Sequence, residues 1–125
     1  MKYEEIISEV RELYPNGYSD SQILRWIKEV NDAVSVYKGE EVRTDIKISD
    51  ETDLIPPFDR MYIDFAMAQI AFHQRDDEAY ARYIGMFNSR FTDWKNYFVR
   101  STKMPKKQYE NWYDEGTKTV TPLDN

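Results

Sequence analysis

The sequence predicts a mainly α-helical domain, a small four-helix bundle, and three observations carry that prediction. Over residues 80–98 the large apolar side chains Tyr80, Ile84, Phe87, Phe91, Trp94 and Phe98 recur in steps of 4, 3, 4, 3 and 4. That is the spacing of one helical face and of no strand. Over residues 58–72 only Asp59, Arg60, Asp64 and Gln69 interrupt an otherwise apolar run. A helix apolar on all sides is one that its neighbours cover. Two shorter amphipathic stripes precede it, each bounded by turn or cap residues.

Composition sets the outer limits. A chain of 125 residues with 41% apolar and 15% aromatic residues makes one domain with a core. Ten of the rings are Tyr, which suits the rim of a core, where a hydroxyl stays wet. There is no Cys, so disulfides and thiol chemistry are excluded. No apolar run approaches a membrane span and no basic-then-apolar leader opens the chain, so a soluble protein made in a cytoplasm is expected, with no membrane partner. The net charge of -6 argues against gripping DNA, because phosphate neutralisation needs clustered Lys and Arg. An acidic surface does not hold a polyanion that passes by it.

The first helix is predicted over 2–14. Tyr3, Ile6, Ile7, Val10, Leu13 and Tyr14 form its stripe, and Glu4 and Glu5 suit the positive end of its dipole. Pro15-Asn16-Gly17 ends it. The second helix opens at Ser19, where Ser19-Asp20-Ser21-Gln22 fits a capping box. Ile23, Ile27, Val30, Val34 and Tyr37 form its stripe, widened by Leu24 and Trp26, and Lys38-Gly39 stops it.

From 40 to 55 the helical period fails. Val42, Thr44, Ile46 and Ile48 alternate with Arg43, Asp45 and Lys47, which is strand alternation. With a turn at Ser49-Asp50-Glu51 and a return over 52–55, the expectation is a short β-ribbon between helices two and three.

Pro56-Pro57 sets the entry to the third helix. Its expected core residues are Phe58, Met61, Tyr62, Phe65 and Phe72; those of the fourth helix are Tyr80, Ile84, Phe87, Phe91, Trp94 and Phe98. Asp76 or Asp77 caps the fourth helix after a corner at Gln74-Arg75-Asp76, so helices three and four form a central antiparallel hairpin. The helical domain is expected over 1–100. Residues 101–125 read as an extended tail: a basic, Pro-broken linker at Lys103, Pro105 and Lys107, then Tyr109, Trp112 and Tyr113. Rings in that setting read as anchors for an interaction segment.

No site for chemistry emerges, and the chain is read as not an enzyme, with no cofactor and no metal. The one His, His73, ends an apolar helix and reads as a partner for its last carbonyls. The acidic groups around Asp50-Glu51-Asp53 and Asp76-Asp77-Glu78 lack calcium-loop spacing. Glycine-rich phosphate loops and nucleophile elbows are absent. The order helix, Asn-Gly turn, helix invites comparison with a DNA-reading helix-turn-helix. However, Arg25 and Lys28 are balanced by Asp20, Glu29 and Asp32, and a recognition helix needs a denser positive face.

Two runs carry a family resemblance. Leu54-Ile55-Pro56-Pro57-Phe58-Asp59-Arg60-Met61-Tyr62-Ile63-Asp64 resembles the entry to the central helix of small head–tail connector proteins of tailed bacteriophages. Tyr80-Ala81-Arg82-Tyr83-Ile84-Gly85-Met86-Phe87-Asn88-Ser89-Arg90-Phe91 is similar to the next helix of that family, with Ala81 and Arg82 where an Asn pair often stands. The resemblance implies a structural virion protein of a phage or prophage. Such a protein assembles in the host cytoplasm into a dodecameric ring under the portal protein, at the head–tail interface. The ring extends the DNA channel, lets DNA pass without specific binding, and docks the stopper or tail. Tyr109, Trp112, Tyr113, Val42, Ile46 and Ile48 are the candidate contacts to portal or neighbouring subunit. The competing reading of the residues is a small helical regulatory or antitoxin-like binding protein.

Overall fold

A computed structural model describes residues 1–102. It contains four helices: α1 (Tyr3–Leu13), α2 (Asp20–Lys38), α3 (Arg60–His73) and α4 (Asp77–Thr102). The described residues fall into two units, one of Met1–Phe91 and one that begins at Thr92.

Local chemistry explains the ends of α1, α2 and α3 and the starts of α2 and α4. Tyr14 closes α1, its N–H donating to the Val10 carbonyl, and Pro15 follows. Asn16 then builds a turn: its Oδ1 accepts from Tyr18 N–H at 3.0 Å and its Nδ2 donates to the Tyr14 carbonyl at 2.8 Å. Ser19 Oγ accepts from Gln22 N–H at 3.1 Å and so caps α2. Gly39 ends α2 in the left-handed region, φ 75°. The N–H of Glu40 reaches back to the Ser35 carbonyl and that of Gly39 to the Val36 carbonyl, the paired closure of a Schellman motif. α3 closes the same way through Asp76 to Ala71 and Arg75 to Phe72, with Arg75 at φ 60° in the glycine position. Asp76 Oδ1 accepts from Ala79 N–H at 3.2 Å and opens α4 three residues after α3 ends.

The core lies among α1, α2 and α3, where Tyr3, Ile6, Val10, Ile23, Ile27, Met61, Tyr62 and Ile70 are buried to 1% exposure or less. α3 packs closely on α4. Phe65 meets Phe87 with ring centroids 5.1 Å apart, and Phe72 meets Tyr80 at 5.6 Å. In the second unit Trp94 is buried and stacks on Phe98 at 5.2 Å. The hydroxyls of Ser101 and Thr102 donate to the carbonyls of Tyr97 and Phe98 in the last turn of α4.

The β-ribbon expected over 40–55 is corrected. Among the described residues no strand forms, only an isolated antiparallel bridge between Lys2 and Glu51. Residues 48–52 pair with the start of the chain, and no backbone hydrogen bond joins 52–55 to 42–48. Tyr3 N–H donates to the Asp50 carbonyl at 3.1 Å, Glu4 N–H to that of Ile48 at 2.9 Å, and Thr52 N–H to that of Met1 at 2.8 Å. The first amides of a helix have no partner within it, so they take whatever carbonyls lie near. Here these are the carbonyls of Ile48 and Asp50, which draw the turn and the start of the return segment to α1 and away from residues 42–46.

Candidate interaction surface

Three features of the first unit place its functional candidates. The first is a buried polar network. Asn31 Nδ2 donates to the Tyr3 hydroxyl at 2.8 Å, and the Tyr62 hydroxyl donates to Asn31 Oδ1 at 2.6 Å. The same two phenol oxygens accept the backbone N–H groups of Asp53 and Leu54, each at 3.1 Å. Tyr3 and Tyr62 meet edge to face at 5.6 Å. One side chain from each of α1, α2 and α3 therefore fixes the far end of the 40–59 loop. Every member finds a partner, as buried polar groups must. Burial, foremost, pushes the Tyr62 hydroxyl well above the ordinary phenol range, and the nearby Tyr3 raises it further.

A prediction follows for Tyr62→Phe. It leaves Asn31 Oδ1 without its donor and the Leu54 amide without its acceptor, at about 1–3 kcal/mol per buried orphan. A urea melt measures the loss, and faster exchange of the Leu54 amide locates it. The alkaline limb carries the sign. A group whose folded pKa lies above its unfolded value stabilises fully below the unfolded value, about 10 for Tyr, and that stability is lost as pH rises. The parent should therefore weaken more steeply than Tyr62→Phe above about pH 10.

The second feature is the Asp64–Arg90 pair between α3 and α4. Asp64 is 2% exposed and its Oδ2 accepts from Arg90 Nε at 2.6 Å. Desolvation raises the Asp64 carboxyl above the usual carboxylate range, and Arg90 opposes that rise. The sequence places Arg90 on the solvated face of its helix; the structure turns it inward to the one acid of the apolar helix. The signal was there, because a carboxylate amid apolar residues requires a cation.

The third feature is the outer run of the loop. Arg43 Nη1 donates to both carboxylate oxygens of Asp53, at 2.8 and 3.0 Å. Lys47 N–H donates to Asp50 Oδ2 at 2.9 Å and closes a tight turn. Val42 and Ile48 are exposed, whereas Ile46 is buried beside a shallow depression of about 160 Å³ lined by Leu24, Arg25 and Lys28. The structure thus keeps two of the three candidate contacts of the loop at the surface. Tyr109, Trp112 and Tyr113 lie outside the described residues.

The residues expected in the core separate by depth. Met61, Tyr62, Phe87 and Trp94 are buried; Phe58, Phe65, Tyr80, Ile84, Phe91 and Phe98 are half-buried. Phe72 is corrected: it is 59% exposed, in the last turn of α3 beside exposed His73. His73 Nδ1 donates to the Gln69 carbonyl at 2.9 Å, and its ring lies 5.6 Å from that of Trp26. Glu4, Glu5, Glu9 and Glu12 line an open acidic depression on α1. Among the described residues no group of three or more His, Cys, Asp or Glu is placed to hold a metal ion. No helix among them is long and apolar enough to cross a membrane. Compared with protein-family models, curated proteins and solved structures, the chain matches none.

Proposed function

We propose that this chain is a head–tail connector, or adaptor, of a tailed bacteriophage or prophage. In this reading it forms a dodecameric ring under the portal protein at the head–tail interface of the virion. The ring extends the DNA channel and docks the stopper or tail, and its work is structural, without catalysis or cofactor. The observation that carries the reading is the pair of runs at 54–64 and 80–91: the first leads into α3 and ends within it, the second lies within α4, and α3 and α4 are the two arms of one hairpin. Prolines enter its first arm, and its arms are joined by Phe65–Phe87 and Asp64–Arg90. The acidic balance of the chain supports a channel wall that DNA passes without adhering to.

The assembly devices of this reading are the surface residues Val42 and Ile48, the buried Ile46 between them in the chain, and the ring-bearing segment at Tyr109, Trp112 and Tyr113. A tethered segment that binds through few residues needs anchors that lose little entropy, and rings have few rotors. Deleting residues 104–125 is expected to leave the melting temperature nearly unchanged and to abolish portal binding, scored by electron microscopy of purified protein mixed with portals. Continued ring formation on portals by the truncated protein would move the anchors to the loop. A gel shift with duplex DNA should show no sub-micromolar binding at physiological salt, where non-specific binders sit at about 10⁻⁴–10⁻⁶ M.

A further inference from the structure

We infer that residues 41–47 form a self-complementary edge through which two copies of this chain pair antiparallel about Thr44. The inference uses the same loop that the connector reading gives to assembly but does not require that reading, and portal binding is not among its readouts.

The backbone makes the edge available. Among the described residues, none of the N–H or carbonyl groups of 41–46 takes part in a hydrogen bond, and residues 41–45 are exposed. The loop on either side is held. Glu40 N–H is tied to the Ser35 carbonyl and Lys47 N–H to Asp50 Oδ2, while Asp53 and Leu54 are latched by the two phenols. An unpaired, exposed row of backbone groups on a fixed support is a template for another strand. The chain bends at Thr44, and the unbonded backbone there permits that bend to relax.

The side chains specify the occupant. The order Glu41-Val42-Arg43-Thr44-Asp45-Ile46-Lys47 reverses its charges and repeats its apolar residues about Thr44. In an antiparallel pair centred on Thr44, Glu41 stands opposite Lys47 of the second copy, Val42 opposite Ile46, and Arg43, whose Nη1 holds Asp53 within its own chain, opposite Asp45. Apart from Thr44, which meets its own copy once on the two-fold axis, every cross-strand pair is apolar with apolar or opposite in charge, and each of those occurs twice. A one-step slip of the register sets charges opposite apolar residues. Val42, 42% exposed in the single chain, comes to lie over Ile46 of its partner and the depression that Ile46 lines with Leu24.

The test uses the full chain. Sedimentation across the accessible concentration range should show a monomer–dimer equilibrium. Thr44→Pro, which removes an amide that bonds nothing in the monomer, should abolish it without moving the melting temperature at concentrations where the parent is monomeric. Glu41→Lys sets like charges together twice and should weaken association by about tenfold or more. Adding Lys47→Glu to that variant should restore it. Because the chain has no Cys, Thr44→Cys gives a clean cross-link: opposed Cα atoms of an antiparallel pair lie about 4.5–5.5 Å apart, within disulfide reach. Glu41→Cys under the same oxidation should stay monomeric, because its symmetry mate is about 20 Å away. A chain that is monomeric at all concentrations overturns the proposal. So does a double charge swap that fails to restore association, or a Glu41→Cys variant that cross-links as readily as Thr44→Cys.

Discussion

Arg90→Ala is expected to destabilise the protein by about 3–5 kcal/mol, the cost of leaving one partner of a buried ion pair uncompensated. Asp64 is 2% exposed, so water reaches it only through the gap that the half-buried Arg90 leaves, and solvates it less well than the guanidinium did. In a domain of this size that loss lowers the melting temperature by about 15 °C or more. The dependence on pH identifies the cause. Desolvation already raises the Asp64 carboxyl, and Arg90 is the main influence opposing it. Without Arg90 the folded-state pKa rises further above the unfolded value of about 3.9. A group shifted that way contributes most below its unfolded pKa, and the contribution is lost as pH rises through the folded one. The deficit of Arg90→Ala relative to the parent should therefore be largest near neutrality and shrink on acidification. An equal deficit at pH 7 and in mild acid would count against a buried, unpaired carboxylate. Replacing both partners, with Asp64→Leu and Arg90→Leu together, should recover most of the loss, since no charge is then stranded.

Phe87→Ala is expected to cost a similar amount, about 3–5 kcal/mol, as truncations of buried rings do. Phe87 is 7% exposed and joins the helices of the hairpin, its ring 5.1 Å from Phe65 and 5.7 Å from Phe91. Removing it takes away the transfer energy of the ring and both ring contacts, and leaves a cavity that rigid helices fill only in part. Denaturant melts give the loss as a lower midpoint at an unchanged slope. Phe72→Ala is the matched control. That ring is 59% exposed, so little apolar surface returns to water and the midpoint should barely move. Equal costs at the two positions would overturn the packing of the hairpin described above.

The two substitutions also mark which parts of this protein are legible in its sequence. Helix number, order and boundaries are local properties. Ser19, Gly39, Pro15 and Asp76 act within a few residues of themselves, and the stripes repeat with the period of the helix. Four helices with a close α3–α4 packing could therefore be read before any tertiary contact was known. Which polar group meets which could not. Arg90 lies on a face of polar residues in the sequence, and only the approach of α3 turns it toward Asp64, 26 positions away. Asn31 has no local signature, yet it binds phenols from α1 and α3, 28 and 31 positions distant. The 42–48 alternation is a true strand pattern, but the pairing partner of its return segment was decided by the unfilled amides at the start of α1. Period and capping are set by neighbours in the chain. Partner choice for buried polar and unpaired backbone groups is set by what folding brings beside them, and here the tertiary structure alone made that choice.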